Sequence, residues 1–279
     1  QIVFASSHEG DDEIYVVGAD GTALVRLTDD EGRDNWPRWS PGGRHIVFES
    51  DRDGNRDLYL MGADGTDQAR LTHHDGMGQV GYPRWSPDGE HVAYVLQTST
   101  DESEVWVVDA GGIGQTQLTA RGNYNYDPRW SPDGQHIAFL SRVAGDAQNI
   151  CAMDAEGREV IQLTPDRPSS QTFRFFLGWL PDGKRVAFAA NDDRGSADAD
   201  IYVVGIDGAG VTRLTTEERR VSFSDLMTGS GLSPDGESLA FGQHLVQVMH
   251  LDGTDRQAIC EPAVYMGWKA GGYVWAPGP

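Results

Sequence analysis

Apolar residues in this chain come in short runs of four or five, separated by proline, glycine and aspartate, with almost no 3.6-residue periodicity. One set of runs opens on a polar residue and continues apolar: His45-Ile-Val-Phe48, His91-Val-Ala-Tyr94, His136-Ile-Ala-Phe139 and Arg185-Val-Ala-Phe188. A second set is β-branched and aromatic: Ile14-Tyr-Val-Val17, Leu58-Tyr-Leu-Met61, Val105-Trp-Val-Val108 and Ile201-Tyr-Val-Val204. Both read as buried strands. Between them stand turn signals such as Ser86-Pro-Asp-Gly89 and Ala63-Asp-Gly65, where proline presets φ and glycine accepts φ > 0. The pattern predicts an all-β protein.

The runs belong to a repeat. Trp39-Ser-Pro-Gly-Gly43 returns as Trp-Ser-Pro-Asp-Gly at 85–89 and 130–134, then decays through Trp179-Leu-Pro-Asp-Gly183 and Leu232-Ser-Pro-Asp-Gly236 to Trp268-Lys-Ala-Gly-Gly272. The steps are 46, 45, 49, 53 and 36 residues, close to the roughly 40–45 residues of a four-stranded propeller blade. Each repeat reads as strand A (Pro-Arg-Trp), a tight turn, strand B, strand C, a second turn, and a strand D. Strand D ends in Arg-Leu-Thr at 26–28, 70–72 and 213–215, or in Gln-Leu-Thr at 117–119 and 162–164.

Six copies of strand B imply six blades: 1–28 with 263–272, then 36–72, 82–119, 127–164, 176–215 and 229–260. The chain opens at strand B without Met, as a processed product does. Val264-Tyr-Met-Gly-Trp268 is expected to supply the missing strand A and close the ring, leaving no open edge. Residues 273–279 have no place in this scheme.

Turn, strand and Leu-Thr ending recurring together resemble the WD40-like PD40 repeats of the TolB propeller family, without the additional α/β domain of TolB. The resemblance implies a six-bladed propeller and a periplasmic or secreted setting. It does not dictate a role, since propellers serve as scaffolds, binding modules, lyases and peptidase domains.

Composition narrows the partners. The formal net charge is -21, with 22 basic against 43 acidic residues, and Lys184 and Lys269 are the only lysines. Nothing here makes the clustered basic footprint of a nucleic-acid binder, no apolar run is long enough to span a bilayer, and a monomer is expected. Cys151 and Cys260 fit neither a disulfide framework nor a zinc site.

Propeller topology places the stereotyped A–B and C–D turns on one rim and the variable B–C and D–A segments on the other, beside the channel mouth. About -16 of the net charge falls on the variable rim, which is either ordinary loop polarity or a funnel for a cation. Aromatic residues precede each strand A: Trp36, Tyr82, Tyr126, Phe175 with Phe176, and Tyr265. The corresponding connection before the last blade offers Phe223 and Met227 instead. With Asn35, Asp127 and Arg174 they are candidates to line a ligand site for a protein or glycan at the channel mouth; the alternative is that they plug the channel as core. Trp39, Trp85, Trp130 and Trp179 are expected to pack between blades, and His45, His91 and His136 to be structural.

Catalytic signatures are sparse. Gly76-Met-Gly-Gln-Val-Gly81 spells a dinucleotide fingerprint, but Pro83 and a strand follow where a helix is required. No Gly-x-Ser-x-Gly and no Walker loop is present. Asp51-Arg-Asp-Gly-Asn-Arg-Asp57 alternates oxygens but fails the EF-hand spacing; a calcium ion shared by several acidic loops stays open, and no other cofactor or metal is expected. His73 and His74 have no counterpart in other repeats. With Tyr126 and Arg174 they could form the base, phenol and cation set that the family resemblance associates with polysaccharide lyases, although an acidic rim opposes a polyuronate.

The reading that follows is a non-enzymatic binding or scaffolding propeller. The alternatives are a carbohydrate lyase or hydrolase, and a propeller module of a larger peptidase-like protein. Ring closure at 264–268 counts against the last.

Overall fold

The computed structural model describes residues 1–260 apart from 9, 19, 75, 121–122, 143–147, 165–173, 192–197, 216–220, 223–229, 234 and 242–245. Tyr265, the closing segment 264–268, Phe223 and Met227 therefore lie outside the described residues. Among the described residues every regular element is a strand, as the short apolar runs require. No helix is long and apolar enough to cross a membrane. The chain divides into two compact units, Gln1–Trp130 with Ala155–Arg158, and Ser131–Asp154 with Glu159–Pro279.

In the first unit, β1 (Ile2–Ser6), β2 (Glu13–Val17) and β3 (Val25–Arg26) form a three-stranded antiparallel sheet. Next, β4 (Asp34–Trp39), β5 (His45–Ser50), β6 (Asp57–Gly62) and β7 (Ala69–Arg70) form a four-stranded antiparallel meander. The third repeat follows the same order: β8 (Gln79–Trp85), β9 (His91–Gln97), β10 (Ser103–Asp109) and β11 (Thr116–Gln117). Strand β12 (Tyr124–Trp130) joins β10 through one parallel bridge, Ser103 to Tyr124.

The second unit holds β13 (His136–Arg142), β14 (Asn149–Asp154) and β15 (Ile161–Gln162), paired in that order. It continues with β16 (Arg174–Trp179), β17 (Arg185–Asn191), β18 (Asp198–Gly205) and β19 (Thr212–Arg213), with β20 (Val221–Ser222) also on β18. The last sheet is β21 (Ser230–Leu232), β22 (Ser238–Phe241), β23 (Val246–His250) and β24 (Gln257–Cys260).

The B strands are continuous apolar runs because both of their faces are covered. On β5, Ile46 and Phe48 pack with Ile14, Val16, Tyr59 and Met61 toward the preceding sheet, while Val47 packs with Val80, Val92 and Tyr94 toward the next. Full burial of a side chain the size of Phe48 contributes about 2–3 kcal/mol. The D strands β3, β7, β11, β15 and β19 are two residues long and β24 is four, which leaves little free edge for another chain to pair with.

The recurring Leu-Thr ending has a structural cause. Thr72 Oγ1 accepts the Leu58 N–H at 2.9 Å and donates to Asp57 Oδ1 at 2.6 Å, while Arg70 Nη2 lies 2.6 Å from Asp57 Oδ2. The same lock joins Glu13, Arg26 and Thr28, and again Asp200, Arg213 and Thr215. In the fourth repeat the lock is neutral: Asn149 replaces the acid, Gln162 replaces the arginine, and Gln162 Nε2 donates to the Thr164 carbonyl at 2.8 Å. Strand C therefore starts on the polar residue that its own strand D clamps.

Candidate functional site

The A strands of the first unit carry the site. Each breaks its pairing with strand B at a bulge, between Asn35 and Arg38 on β4 and between Gly81 and Arg84 on β8. A bulge needs one residue off the ladder, and here it is a non-glycine in the left-handed region: Trp36 at φ 53° and Tyr82 at φ 59°. Asp127 holds the same conformation at φ 48°. Each of the three precedes a proline, and the Arg-Trp that follows is constant. The residue corresponding to Trp36 and Tyr82 is thus Asp127, and Tyr126 stands one place earlier.

Successive A strands are tied by the repeat tryptophans. Trp85 Nε1 donates to the Arg38 carbonyl and Trp130 Nε1 to the Arg84 carbonyl, each at 3.2 Å. His91 also rests its ring 6.4 Å from that of Trp130. These tryptophans and histidines are spent on holding neighbouring sheets in register. The same ties bring the bulge residues together: the Trp36 and Tyr82 rings lie 5.8 Å apart at 36°, and Tyr82 remains 36% exposed. Tyr124 and Tyr126 pair beside them at 5.2 Å.

The same A strands bring together three arginines to which the sequence analysis gave no role: Arg38, Arg84 and Arg129. The signal was present in the threefold Pro-Arg-Trp at 37–39, 83–85 and 128–130. Burial and the like charges of Arg84 and Arg129 push the Arg38 guanidinium down to about 9, so it is still protonated at neutral pH. Arg84 is lowered by burial and by Arg129 in the same way. Burial alone would raise the Asp127 carboxyl, but Arg129 and Arg84 outweigh it and hold the pKa below the usual aspartate value. An acidic protein thus places a cluster of cations on the strands that carry its paired rings.

Glu49 completes the constellation. It is 4% exposed, pairs across the sheet with Asn35, and its Oε1 accepts the Tyr82 N–H at 3.0 Å. Burial pushes its carboxyl up to about 7 against the pull of that hydrogen bond and of Arg56, Arg38 and Arg84. The Tyr82 phenol is raised by burial and by Tyr124, Asp127 and Glu49. Asn35 Nδ2 reaches Asp12 Oδ2 at 3.3 Å.

The remaining candidates fall elsewhere. His74 is buried, its Nε2 2.8 Å from the Tyr94 hydroxyl and its ring 4.9 Å from Trp106, whereas the His73 N–H donates to Gln115 Oε1 at 3.1 Å on an exposed connection. Arg174 and Phe176 belong to β16 of the second unit, and both are buried. Arg174 Nη1 donates to the Gln148 carbonyl at 2.9 Å and to Asn149 Oδ1.

Among the described residues two clusters have metal-like spacing, Asp88 with Glu90 and His91, and Glu13 with Asp30 and Asp34. In the second, Arg52 Nη2 already lies 2.7 Å from Asp30 and 2.8 Å from Asp34, so a guanidinium is the cation in place. The loop 51–57 spends its acids likewise: Asp51 accepts the Arg33 N–H, Asp53 the Tyr59 hydroxyl, and Asp57 pairs with Arg70.

Repeated antiparallel meanders, tied A strand to A strand by the repeat tryptophans, are the sheets of a β-propeller. The chain matches the PD40 family, described as the TolB beta propeller domain, over residues 1–80 and 75–175, and it belongs to that family. No curated protein matches it. Among solved structures it is similar to an oligogalacturonate lyase in complex with manganese, at TM-score 0.76 and 14% identity, covering 95% of this chain and 74% of that one. It is also similar to TolB from Acinetobacter baumannii, at TM-score 0.63 and 22% identity, covering 91% of this chain and 61% of that one. A puromycin-hydrolyzing peptidase of Mycobacterium tuberculosis matches at TM-score 0.67 and 17% identity, covering 92% of this chain and 42% of the peptidase. At these identities the likenesses establish fold alone, and the chain spans less than two thirds of that TolB and of the peptidase.

Proposed function

We propose that the chain is a six-bladed binding or scaffolding propeller, closed by its C-terminal strand A, that engages a protein or glycan partner. The engaged face carries Trp36, Tyr82, Tyr126, Asn35 and Asp127. The observation that carries this reading is the Trp36–Tyr82 ring pair, carried on the same A strands as the clustered Arg38, Arg84 and Arg129. Aromatic residues held at strained bulges by a rigid sheet are pre-organised anchors. Membership in the TolB propeller family supports a periplasmic or secreted setting.

The test is binding to a panel of envelope proteins and glycans by wild type and by Trp36→Ala with Tyr82→Ala. The expected result is at least a tenfold loss of affinity with a melting temperature within a few degrees of wild type. Unchanged binding, or a collapse in stability without a binding partner, overturns the reading.

One observation favours a second reading. The arginine cluster removes the electrostatic objection to an acidic polysaccharide, and oligogalacturonate lyases share the fold. Under that reading the chain cleaves uronates with His73, His74, Tyr126 and Arg174 among its catalytic residues. New unsaturated ends, detected by ultraviolet absorbance across a polyuronate panel and lost in His73→Ala, would establish it; silence with and without divalent metal retires it.

A further inference from the structure

Three A strands of the first unit repeat one arrangement with one member changed. Each places a left-handed residue two positions before an arginine: Trp36 before Arg38, Tyr82 before Arg84, Asp127 before Arg129. Where that residue is aspartate it bridges its own arginine to the one on the preceding strand. Asp127 Oδ1 accepts from Arg84 Nη2 at 2.8 Å and from Arg129 Nε at 3.2 Å, and Oδ2 accepts from Arg129 Nη2 at 3.0 Å. One strand back, the corresponding bridge between Arg84 and Arg38 has no carboxylate, because the residue there is Tyr82.

The consequence falls on Arg38. Its carbonyl is taken by Trp85, but its guanidinium makes no hydrogen bond or ion pair with any described residue. The guanidinium is half-buried beside two others. Two acids act on it at a distance, Asp127 first and Glu49 second. Asp127, however, is hydrogen-bonded to Arg84 and Arg129, and Glu49 commits Oε1 to the Tyr82 N–H and is driven toward its neutral form by burial. Neighbouring like charges in a poorly hydrated site are held at a cost that one shared anion relieves.

We propose that Arg38, with its neighbour Arg84, forms a carboxylate-binding subsite for an acid group of the ligand, whose apolar portion rests on Trp36 and Tyr82. A planar, singly charged, two-oxygen group is what the cluster already uses between Arg84 and Arg129, and guanidinium forks match it. A phosphate carries more charge than the missing bridge requires. The subsite rests on the binding face proposed above and specifies the chemistry of what it holds.

The test is calorimetric titration with two matched pairs, glucuronate against glucose and N-acetylglutamate against N-acetylglutamine, with inorganic phosphate alongside. At least one acid is expected to bind about tenfold or more tightly than its neutral partner, and which pair responds separates a sugar acid from an amino-acid carboxylate. Arg38→Gln is expected to abolish the preference with no loss of melting temperature, and Arg38→Lys to retain part of it. Tyr82→Asp places the missing carboxylate in the chain itself, so it should block acid binding and raise the melting temperature. Equal binding of acid and neutral analogues, no binding of either acid at millimolar concentration, a preference that survives Arg38→Gln, or phosphate binding as tightly as the acid overturns the subsite. Partner binding that needs Trp36 and Tyr82 but not Arg38 sinks the subsite and leaves the binding face. An acid preference with partner binding indifferent to the rings does the reverse.

Discussion

Asp127 accepts a hydrogen bond from Arg84 at 2.8 Å although 43 residues separate them. The contact joins the A strands of two successive repeats, and the same carboxylate also holds Arg129. It hydrogen-bonds two of the three clustered guanidiniums.

Replacing it tests that compensation. Asp127→Asn keeps the size and one acceptor but leaves Arg84 and Arg129 facing each other with little water. A loss of about 3 kcal/mol is expected, read by urea unfolding. It should be partly relieved at high salt, because anions then screen the pair. A change within about 0.5 kcal/mol would show the bridge to be dispensable.

Glu49 gives the protein a pH-dependent stability. Its carboxyl is raised from 4.5 to about 7 by burial, so the folded state holds a proton that the unfolded state releases. That stabilisation is complete below about pH 4.5 and is lost as pH rises through 7, and it amounts to about 3 kcal/mol. Asp34, raised by burial to about 6, acts in the same direction. Glu49→Gln should flatten the decline between pH 5 and pH 8, compared by denaturant unfolding at each pH. An unaltered slope would remove Glu49 as its source.

The strand C–strand D lock changes its members with compensation. The third repeat sets Gln117 where Arg70 stands, and there Asn125 Nδ2 donates to the buried acid, Glu104, at 3.0 Å, a donor for which Asp57 shows no counterpart among its hydrogen bonds. Arg70→Gln leaves Asp57, 1% exposed, with a hydroxyl in place of a guanidinium, and should cost about 2–4 kcal/mol. Adding Asp57→Asn recreates the Asn149–Gln162 lock of the fourth repeat, and the double variant should recover to within about 1 kcal/mol of wild type. Thermal unfolding of the two singles and the double measures the coupling; additive losses would contradict it.

Gly65 has φ +85°, and a Cβ there would stand 3.0 Å from the Leu27 carbonyl of the preceding repeat. Gly65→Ala is expected to cost about 1–2 kcal/mol or more. Gly42, with open space and no positive φ, should tolerate alanine within about 0.5 kcal/mol. Equal melting temperatures for the two variants would rule out the close approach.

The sequence by itself determined the local structure and its repetition. His45-Ile-Val-Phe48 and its copies could only be strands covered on both faces, Ser-Pro-Asp-Gly could only turn, and the regular return of Pro-Arg-Trp announced equivalent positions. Those features rest on φ/ψ limits and apolar burial, which act within a few residues. Net charge along the chain, by contrast, pointed to an acidic face, because a sum over loops counts residues wherever they point. Only the tertiary structure decided that Arg38, Arg84 and Arg129 cluster, that Asp127 rather than Tyr126 completes the series, and that His74 is locked against Tyr94 and Trp106. Each of those depends on how one sheet is tied to the next by contacts more than 20 or 40 residues apart, such as Trp85 on the Arg38 carbonyl, and the energy of such contacts is not written in either segment alone.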